Sequence, residues 1–406
     1  MEKFVCKNGV RIVLENIPTV RSVAIGVWTK TGSRNETTLN NGISHFIEHM
    51  FFKGTATRSA KDIAESFDSI GGQVNAFTSK EYTCYYAKVL DTHSEFALEV
   101  LADMFFNSTF AAEEMEKEKK VVYEEIKMYE DTPDDTVHDL LGRAAYNDHA
   151  LGFPTLGLEE ALASFTSQDL KDYIHNCYTP DNIVVSIAGN IDASFIKKVE
   201  AIFGSFTSDG TGCKATTPTF DFEKLYKQKD TEQAHLALGY QGLAAGHDDI
   251  YSLIIMNNIL GSGMSSRLFQ EVREQRGLAY SIFSYHASFT DTGIVAIYGG
   301  TGADQVDVLM ETIQNTLQQF KATSITATEL NNAKEQLKGN LMLSLESTNS
   351  RMTRNGKNEL LLGKHRSLDD IVQSIDAVTT ENVTNMIEQI FTDQHAAALI
   401  GPKNIF

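Results

Sequence analysis

The strongest constraint on the fold is that the chain closes each of its halves in the same way. Thr166-Ser167-Gln168-Asp169-Leu170 opens an amphipathic helix that runs to Cys177-Tyr178-Thr179, and the apolar run Ile183-Val184-Val185-Ser186-Ile187-Ala188-Gly189 follows. Thr379-Thr380-Glu381-Asn382-Val383 opens a similar helix running to Ile390-Phe391-Thr392, and Ala396-Ala397-Ala398-Leu399-Ile400-Gly401 follows that one. Helix, short turn, apolar strand and glycine, met twice, mark one supersecondary pattern used twice. Between the halves, Ser208-Asp209-Gly210-Thr211-Gly212-Cys213 and the residues up to Pro218 are small and polar, as linkers are. The expected division is a domain over 1–207, a linker over 208–219 and a homologous domain over 220–406, each of ordinary domain size.

Further strand candidates lie at 11–14, 22–28 and 83–89 in the first half and at 235–240, 280–284 and 293–298 in the second. Residues 22–28 and 235–240 read as half-buried strands, rich in β-branched or aromatic residues. Amphipathic helices separate them. The expected class is α+β, with two structurally similar domains, each a mainly antiparallel sheet flanked by helices.

The chemistry concentrates in five residues, His45-Phe46-Ile47-Glu48-His49. Ile43, Phe46, Ile47, Met50 and Phe51 recur with helical spacing, so this segment is expected to be a helix, with Asn40, Asn41 and Gly42 as its start signal. His45 and His49, one turn apart, share a face, and Glu48 points to the same side. Two imidazoles so placed can grip one Zn²⁺ at about 2.0–2.1 Å, with a carboxylate beside them to accept a proton from water. The inverted order H-x-x-E-H is a metallopeptidase signature. The same spacing also suits a helix with two incidental histidines. The second half has no such pair: its corresponding segment, Ile254-Ile255-Met256-Asn257-Asn258-Ile259-Leu260, is apolar. One metal site per chain is therefore expected.

A catalytic zinc takes three protein ligands. Glu118 and Glu125 are seven apart on an expected helix over 113–130, on one face beside the apolar Val122, Ile126 and Tyr129. A carboxylate bordering that stripe is partly buried, which is costly unless something pairs with it. Spacing alone also allows an ordinary solvated helix face.

Composition narrows the classes. The net charge of −19 argues against nucleic acid and anionic membrane surfaces as partners. No window approaches the roughly 18 unbroken apolar residues of a membrane span. The first residues carry no signal-peptide or transit pattern, so a cytoplasmic location is expected. Cys6, Cys84, Cys177 and Cys213 are scattered without a C-x-x-C, and all four are expected to be free thiols.

With these residues in view, the chain resembles the inverzincin metallopeptidases, the group of pitrilysin, insulin-degrading enzyme and mitochondrial processing peptidase. His45-x-x-Glu48-His49 is followed, 76 positions on, by Glu125 within Glu118-Lys119-Lys120-Val121-Val122-Tyr123-Glu124-Glu125-Ile126. The resemblance implies His45, His49 and Glu125 as ligands of one Zn²⁺, Glu48 as general base and Glu118 as a supporting carboxylate; Glu124 is the adjacent alternative to Glu125. Gly71-Gly72-Gln73-Val74-Asn75-Ala76-Phe77-Thr78 looks like the family's edge strand. It implies that Asn75, Ala76 and Phe77 receive substrate backbone by β-augmentation. Leu260-Gly261-Ser262-Gly263 and Arg273-Glu274-Gln275-Arg276-Gly277-Leu278-Ala279-Tyr280 look like second-domain motifs, with Arg273 and Tyr280 matching an Arg/Tyr pair that contacts substrate near the metal. Asp135 and Asp139 match acidic positions that hold a substrate arginine, although two exposed aspartates are an equal reading.

The length resembles the processing-peptidase branch, in which two two-domain subunits enclose a chamber. The implied protein is a homodimeric zinc metalloendopeptidase acting on peptides or unfolded segments, with Arg273 and Tyr280 acting in cis or in trans. The rival is a non-catalytic scaffold subunit of the same fold. The His₂Glu donor set also accepts Mn²⁺ or Co²⁺, and metal availability decides among them.

Overall fold

The structure, a computed structural model, describes residues 1–406. In the first half, β1 Glu2–Val5, β2 Arg11–Asn16, β3 Ser22–Thr29, β4 Gln73–Thr78, β5 Thr83–Leu90 and β6 Ile183–Gly189 form one sheet in the order β1-β2-β6-β3-β5-β4. In the second, β7 Lys224–Gln228, β8 Gln233–Gly242, β9 Ala279–Ser288, β10 Gly293–Gly302 and β11 Ala396–Gly401 form another in the order β7-β11-β8-β10-β9. Setting β1 aside, the two orders are the same. So are the directions: β2 and β6, like β7 and β11, pair parallel, and every other neighbour pairs antiparallel. The repeat read from the two chain segments at 166–189 and 379–401 is thus a repeat of topology.

The helices of the first half are α1 Ile43–Met50, α2 Ala60–Asp68, α3 Ser94–Asn107, α4 Ala112–Glu130, α5 Pro133–Tyr146, α6 Glu159–Ser164, α7 Ser167–Cys177 and α8 Phe195–Phe203. Those of the second are α9 Ile250–Gly261, α10 Val306–Thr323, α11 Ala327–Ser344, α12 Thr348–Leu362, α13 Leu368–Ala377 and α14 Thr380–Ile390. The matched helices α7 and α14 start alike. Thr166 pairs reciprocally with Asp169, and Thr379 with Asn382, each a capping box that satisfies backbone N–H groups at the helix start.

The sheets are not half-buried at their centres. Val23 to Trp28 and Leu236 to Leu238 are all fully buried, so the expectation of one solvated face is corrected. The continuous apolar run Val23-Ala24-Ile25-Gly26-Val27-Trp28 is what a strand covered on both faces requires. One face of the first sheet joins Ile12, Leu14, Ile25 and Val27 to Phe46 and Ile47 of α1. The other joins Val13, Ala24, Trp28 and Val184 to Met352 and Leu360 of α12.

That last packing alters the expected domain division. The compact units are Met1–Lys127 with Phe153–Thr216 and Leu343–His365, and Met128–Gly152 with Thr217–Met342 and Arg366–Phe406. The main crossing, at Thr216, falls within the expected linker, but α12 belongs to the first unit and α5 to the second. A cut by chain position misses this because α5 and α12 are amphipathic without specifying which sheet they cover. In the first unit Ser186 Oγ donates to the Met352 carbonyl at 2.7 Å, and Asn355 Nδ2 donates to Glu15 at 2.7 Å. Glu359 of α12, its side chain fully buried, pairs with Lys3 at 2.7 Å and with His365 at 2.7 Å. Gly356 permits the approach, since a Cβ there would lie 2.4 Å from Trp28 Nε1. In the second unit α5 lays Val137, Leu141 and Ala144 against Ala237, Ala396 and Ala398 of the sheet.

A second correction concerns the cysteines. Cys177, at the end of α7, is disulfide-bonded to Cys213, with Cα atoms 4.7 Å apart; Cys6 and Cys84 are free and buried. The two partners are 36 residues apart in sequence, and the absence of a local motif hid the pairing. No helix is long and apolar enough to cross a membrane.

Candidate metal centre

The helix that carries His45 and His49 is held at its start by a residue the sequence reading did not single out. Gly42 precedes α1 in a left-handed conformation, φ 94°, and its own side makes no cap. The carboxylate of Glu36 does so instead. It accepts the N–H groups of Gly42 at 2.7 Å and Ser44 at 2.9 Å, and the Asn41 side-chain amide at 2.9 Å. Glu36 is buried, which pushes its carboxyl above the usual range, and these hydrogen bonds oppose that. An anion at a helix N-terminus is favoured by the free N–H groups and by the helix dipole. The only signal was a glutamate a few residues before the helix, outside the usual capping positions.

Along α1, Phe46, Ile47 and Met50 enter the core, which turns His45, Glu48 and His49 toward α4 and β4. His45 Nε2 and His49 Nε2 lie 3.2 Å apart. Glu125 Oε2, from α4, lies 3.8 Å from the first and 3.5 Å from the second. A tetrahedral Zn²⁺ with legs of about 2.0–2.1 Å needs ligand atoms about 3.3–3.4 Å apart. The three side chains therefore present a donor triangle of nearly the right size, and no other group of three His, Cys, Asp or Glu side chains does so. Glu125 rather than Glu124 supplies the carboxylate; Glu124 is exposed and pairs with Lys127 at 2.8 Å.

Glu118, buried on α4, accepts a hydrogen bond from His49 Nδ1 at 2.8 Å, and Lys53 Nζ sits 2.6 Å from its other oxygen. That bond fixes the His49 ring with Nε2 toward the other ligands, the outer-shell arrangement that metal sites use. His45 has no equivalent partner at Nδ1, and packing alone orients it. Burial disfavours the His49 cation, but Glu118 and Glu125 outweigh it and hold the imidazole up to about 9. Burial and the neighbouring His49 charge lower His45 to about 4.

Glu48 is half-buried. Burial raises its carboxyl, and a hydrogen bond from Thr78 lowers it. Thr78 ends β4, which is the free edge of the first sheet, as the resemblance implied. Along that edge Asn75 is exposed and its side-chain oxygen accepts the Ala76 N–H at 2.8 Å. Phe77 faces the other side of the sheet, packed on Trp28 with ring centroids 5.6 Å apart.

The remaining expected residues belong to the second unit. Arg273 lies in a π-helical turn, Phe269–Glu274; its guanidinium stacks over the Tyr280 ring at 4.5 Å and donates to the Tyr280 carbonyl at 3.0 Å. Tyr280 is 79% exposed, a large aromatic ring left open to solvent. Asp135 is exposed and Asp139 half-buried on the first turns of α5. The Tyr129 hydroxyl donates to the Asp135 carbonyl at 3.2 Å and, with burial the larger cause, is raised by the Asp139 carboxylate.

Comparison with known proteins agrees with this centre. Residues 11–159 match the model of insulinase, peptidase family M16, and residues 164–337 match that of the peptidase M16 inactive domain. The chain is 64% identical over 403 residues to the uncharacterized zinc protease YmxG of Bacillus subtilis, covering 99% of this chain and 98% of that protein. The chain belongs to peptidase family M16. An uncharacterized zinc protease of Rickettsia felis is 37% identical, over 98% of this chain and 97% of that one. A protease from Helicobacter pylori superposes with a TM-score of 0.93 at 24% identity, covering 99% of each chain, and shares the fold. Membership fits the donor set: the His-His-Glu cluster is compatible with one zinc, and it lies in the half that matches the peptidase model. The half that matches the inactive domain has the apolar α9 where the first half has α1.

Proposed function

We propose that this M16 protein is a zinc endopeptidase that hydrolyses peptides or unfolded segments. The observation that carries the reading is the donor triangle of His45, His49 and Glu125, with Glu48 on the same helix face and the open edge of β4 beside it. When bound, zinc lowers the pKa of water to about 7 and polarises the scissile carbonyl. The chain's own residues do the rest. β4 takes the substrate as an added strand along its open edge around Asn75, Ala76 and Phe77, the Asn75 side chain giving up the Ala76 N–H to the incoming backbone, which tolerates varied side chains. Glu48 accepts a proton from the attacking water and delivers it to the leaving amine. Glu118 keeps His49 in the tautomer that offers Nε2. Arg273 and Tyr280, of the same chain or of a second copy, supply a cation and a phenol to the carbonyl oxygen as charge develops there. Asp135 and Asp139 favour a basic residue near the cut.

The reading extends to the assembly: a homodimer whose subunits enclose a chamber, with the size limit on substrates that a chamber imposes, in a cytoplasm where the Cys177–Cys213 disulfide would be an uncommon feature. Size-exclusion chromatography with light scattering checks the dimer. The deciding experiment compares hydrolysis of a quenched basic peptide by the wild type and by Glu48→Gln, with zinc measured in both. Turnover in the wild type alone, at equal zinc, supports the reading. Equal turnover in both removes Glu48 as the base, and no turnover in either despite bound zinc favours a scaffold subunit.

A further inference from the structure

Thr78 is the last residue of β4. Side chains alternate along a strand, so Val74, Ala76 and Thr78 share the face that packs toward α1. From there the Thr78 hydroxyl donates to Glu48 Oε2 at 2.5 Å. The donor is held on its own side. Thr78 forms the terminal ladder pair with Thr83. The Ser79 N–H donates to the Tyr82 carbonyl at 2.8 Å, closing the hairpin just beyond. Thr83 is fully buried and donates to the Thr31 carbonyl at 2.9 Å, which anchors the pair to the interior.

We propose that Thr78 is a positioning residue for the general base: its hydroxyl ties down one oxygen of Glu48 so that the other is aimed at the reacting water. The inference rests on the peptidase reading above and deepens it. A glutamate has three side-chain torsions, and its terminal torsion is broad. Tying Oε2 to a hydroxyl fixed by a β-ladder leaves one productive orientation of Oε1. The link also gives the edge strand a second task. The element offered to the substrate backbone is the one that sets the base, so a strand added to β4 and the proton acceptor are in register by construction.

The test compares Thr78→Val, Thr78→Ala and Thr78→Ser, each zinc-loaded, by kcat, KM, zinc content and thermal midpoint. Valine keeps the shape and suits a strand, and serine keeps the hydroxyl. Hydrogen bonds to charged groups correspond to roughly a tenfold to hundredfold effect. The expected result is a kcat lowered by about that factor in the valine and alanine variants, with KM and zinc unchanged, and recovery in serine. A second readout is affinity for a phosphinic peptide, whose acidic oxygen meets the base as the tetrahedral adduct would; valine weakens it about tenfold and serine does not. A kcat unchanged in valine and alanine overturns the proposal. So does a loss carried by KM or zinc, or a serine variant as impaired as valine. If the wild type turns over no peptide, the peptidase reading fails by itself, while the phosphinic-peptide affinities still report whether Thr78 sets Glu48.

Discussion

At the scale of single residues, the two histidines of the centre are not equivalent. His49 is held by Glu118 and Glu125 at about 9, and His45 is pushed to about 4 by burial and by its neighbour. At pH 6, His45 is thus already neutral and His49 carries a proton. A metal needs the lone pair of both. Zinc binding to the metal-free protein at pH 6 is expected to release about one proton, and apparent affinity is expected to rise about tenfold per pH unit until pH approaches 9. Calorimetry in buffers of different ionisation enthalpy counts that proton. A count of zero would mean that the two glutamates do not hold His49 as a cation. This asymmetry was not legible in the sequence. His45, Glu48 and His49 could be named from helical spacing, because one face of one helix is a local property. Which carboxylate faced them was not local: Glu118 and Glu125 read alike by spacing, and only the tertiary placement of α4 separates them, Glu118 against His49 Nδ1 and Glu125 near the Nε2 atoms of both histidines.

At the scale of elements, α1 is short, eight residues, and lacks a side-chain cap of its own. Its start depends on Glu36. Replacing Glu36 with alanine leaves the Gly42 and Ser44 N–H groups buried without partners, at a cost of about 1–3 kcal/mol for each group left unpaired. A lower urea midpoint together with weaker zinc binding is the expected outcome of Glu36→Ala. An unchanged midpoint would mean that the start of α1 is satisfied from elsewhere. The strands and the repeat were legible because apolar runs bounded by turns are strong signals. The exposure of the central strands was misjudged for the same reason. A run such as Val23–Trp28 reports that a strand is apolar, and only the arrival of α12 on its second face makes both faces buried.

At the scale of the whole molecule, covalent and topological links join parts that a linear reading keeps apart. The disulfide ties the end of α7 to the segment that leaves the first unit. Titrating thiols in denaturant is expected to give two reactive groups, Cys6 and Cys84, before reduction and four after it. Four before reduction would return the protein to the all-thiol expectation, which suits a reducing compartment.

The exchange of α5 and α12 sets the order in which the polypeptide can mature as it is synthesised. The first sheet has its last strand by Gly189, yet the helix that covers Trp28, the chain's single tryptophan, ends at Leu362. At ~5–20 residues per second, translation leaves that indole uncovered for roughly 10–30 s after the strands have emerged. The nascent first half therefore keeps that apolar face uncovered until most of the second half has been made. A ribosome-bound chain halted before Thr348 should show a solvent-exposed tryptophan, and one halted after the whole helix has cleared the tunnel a buried one.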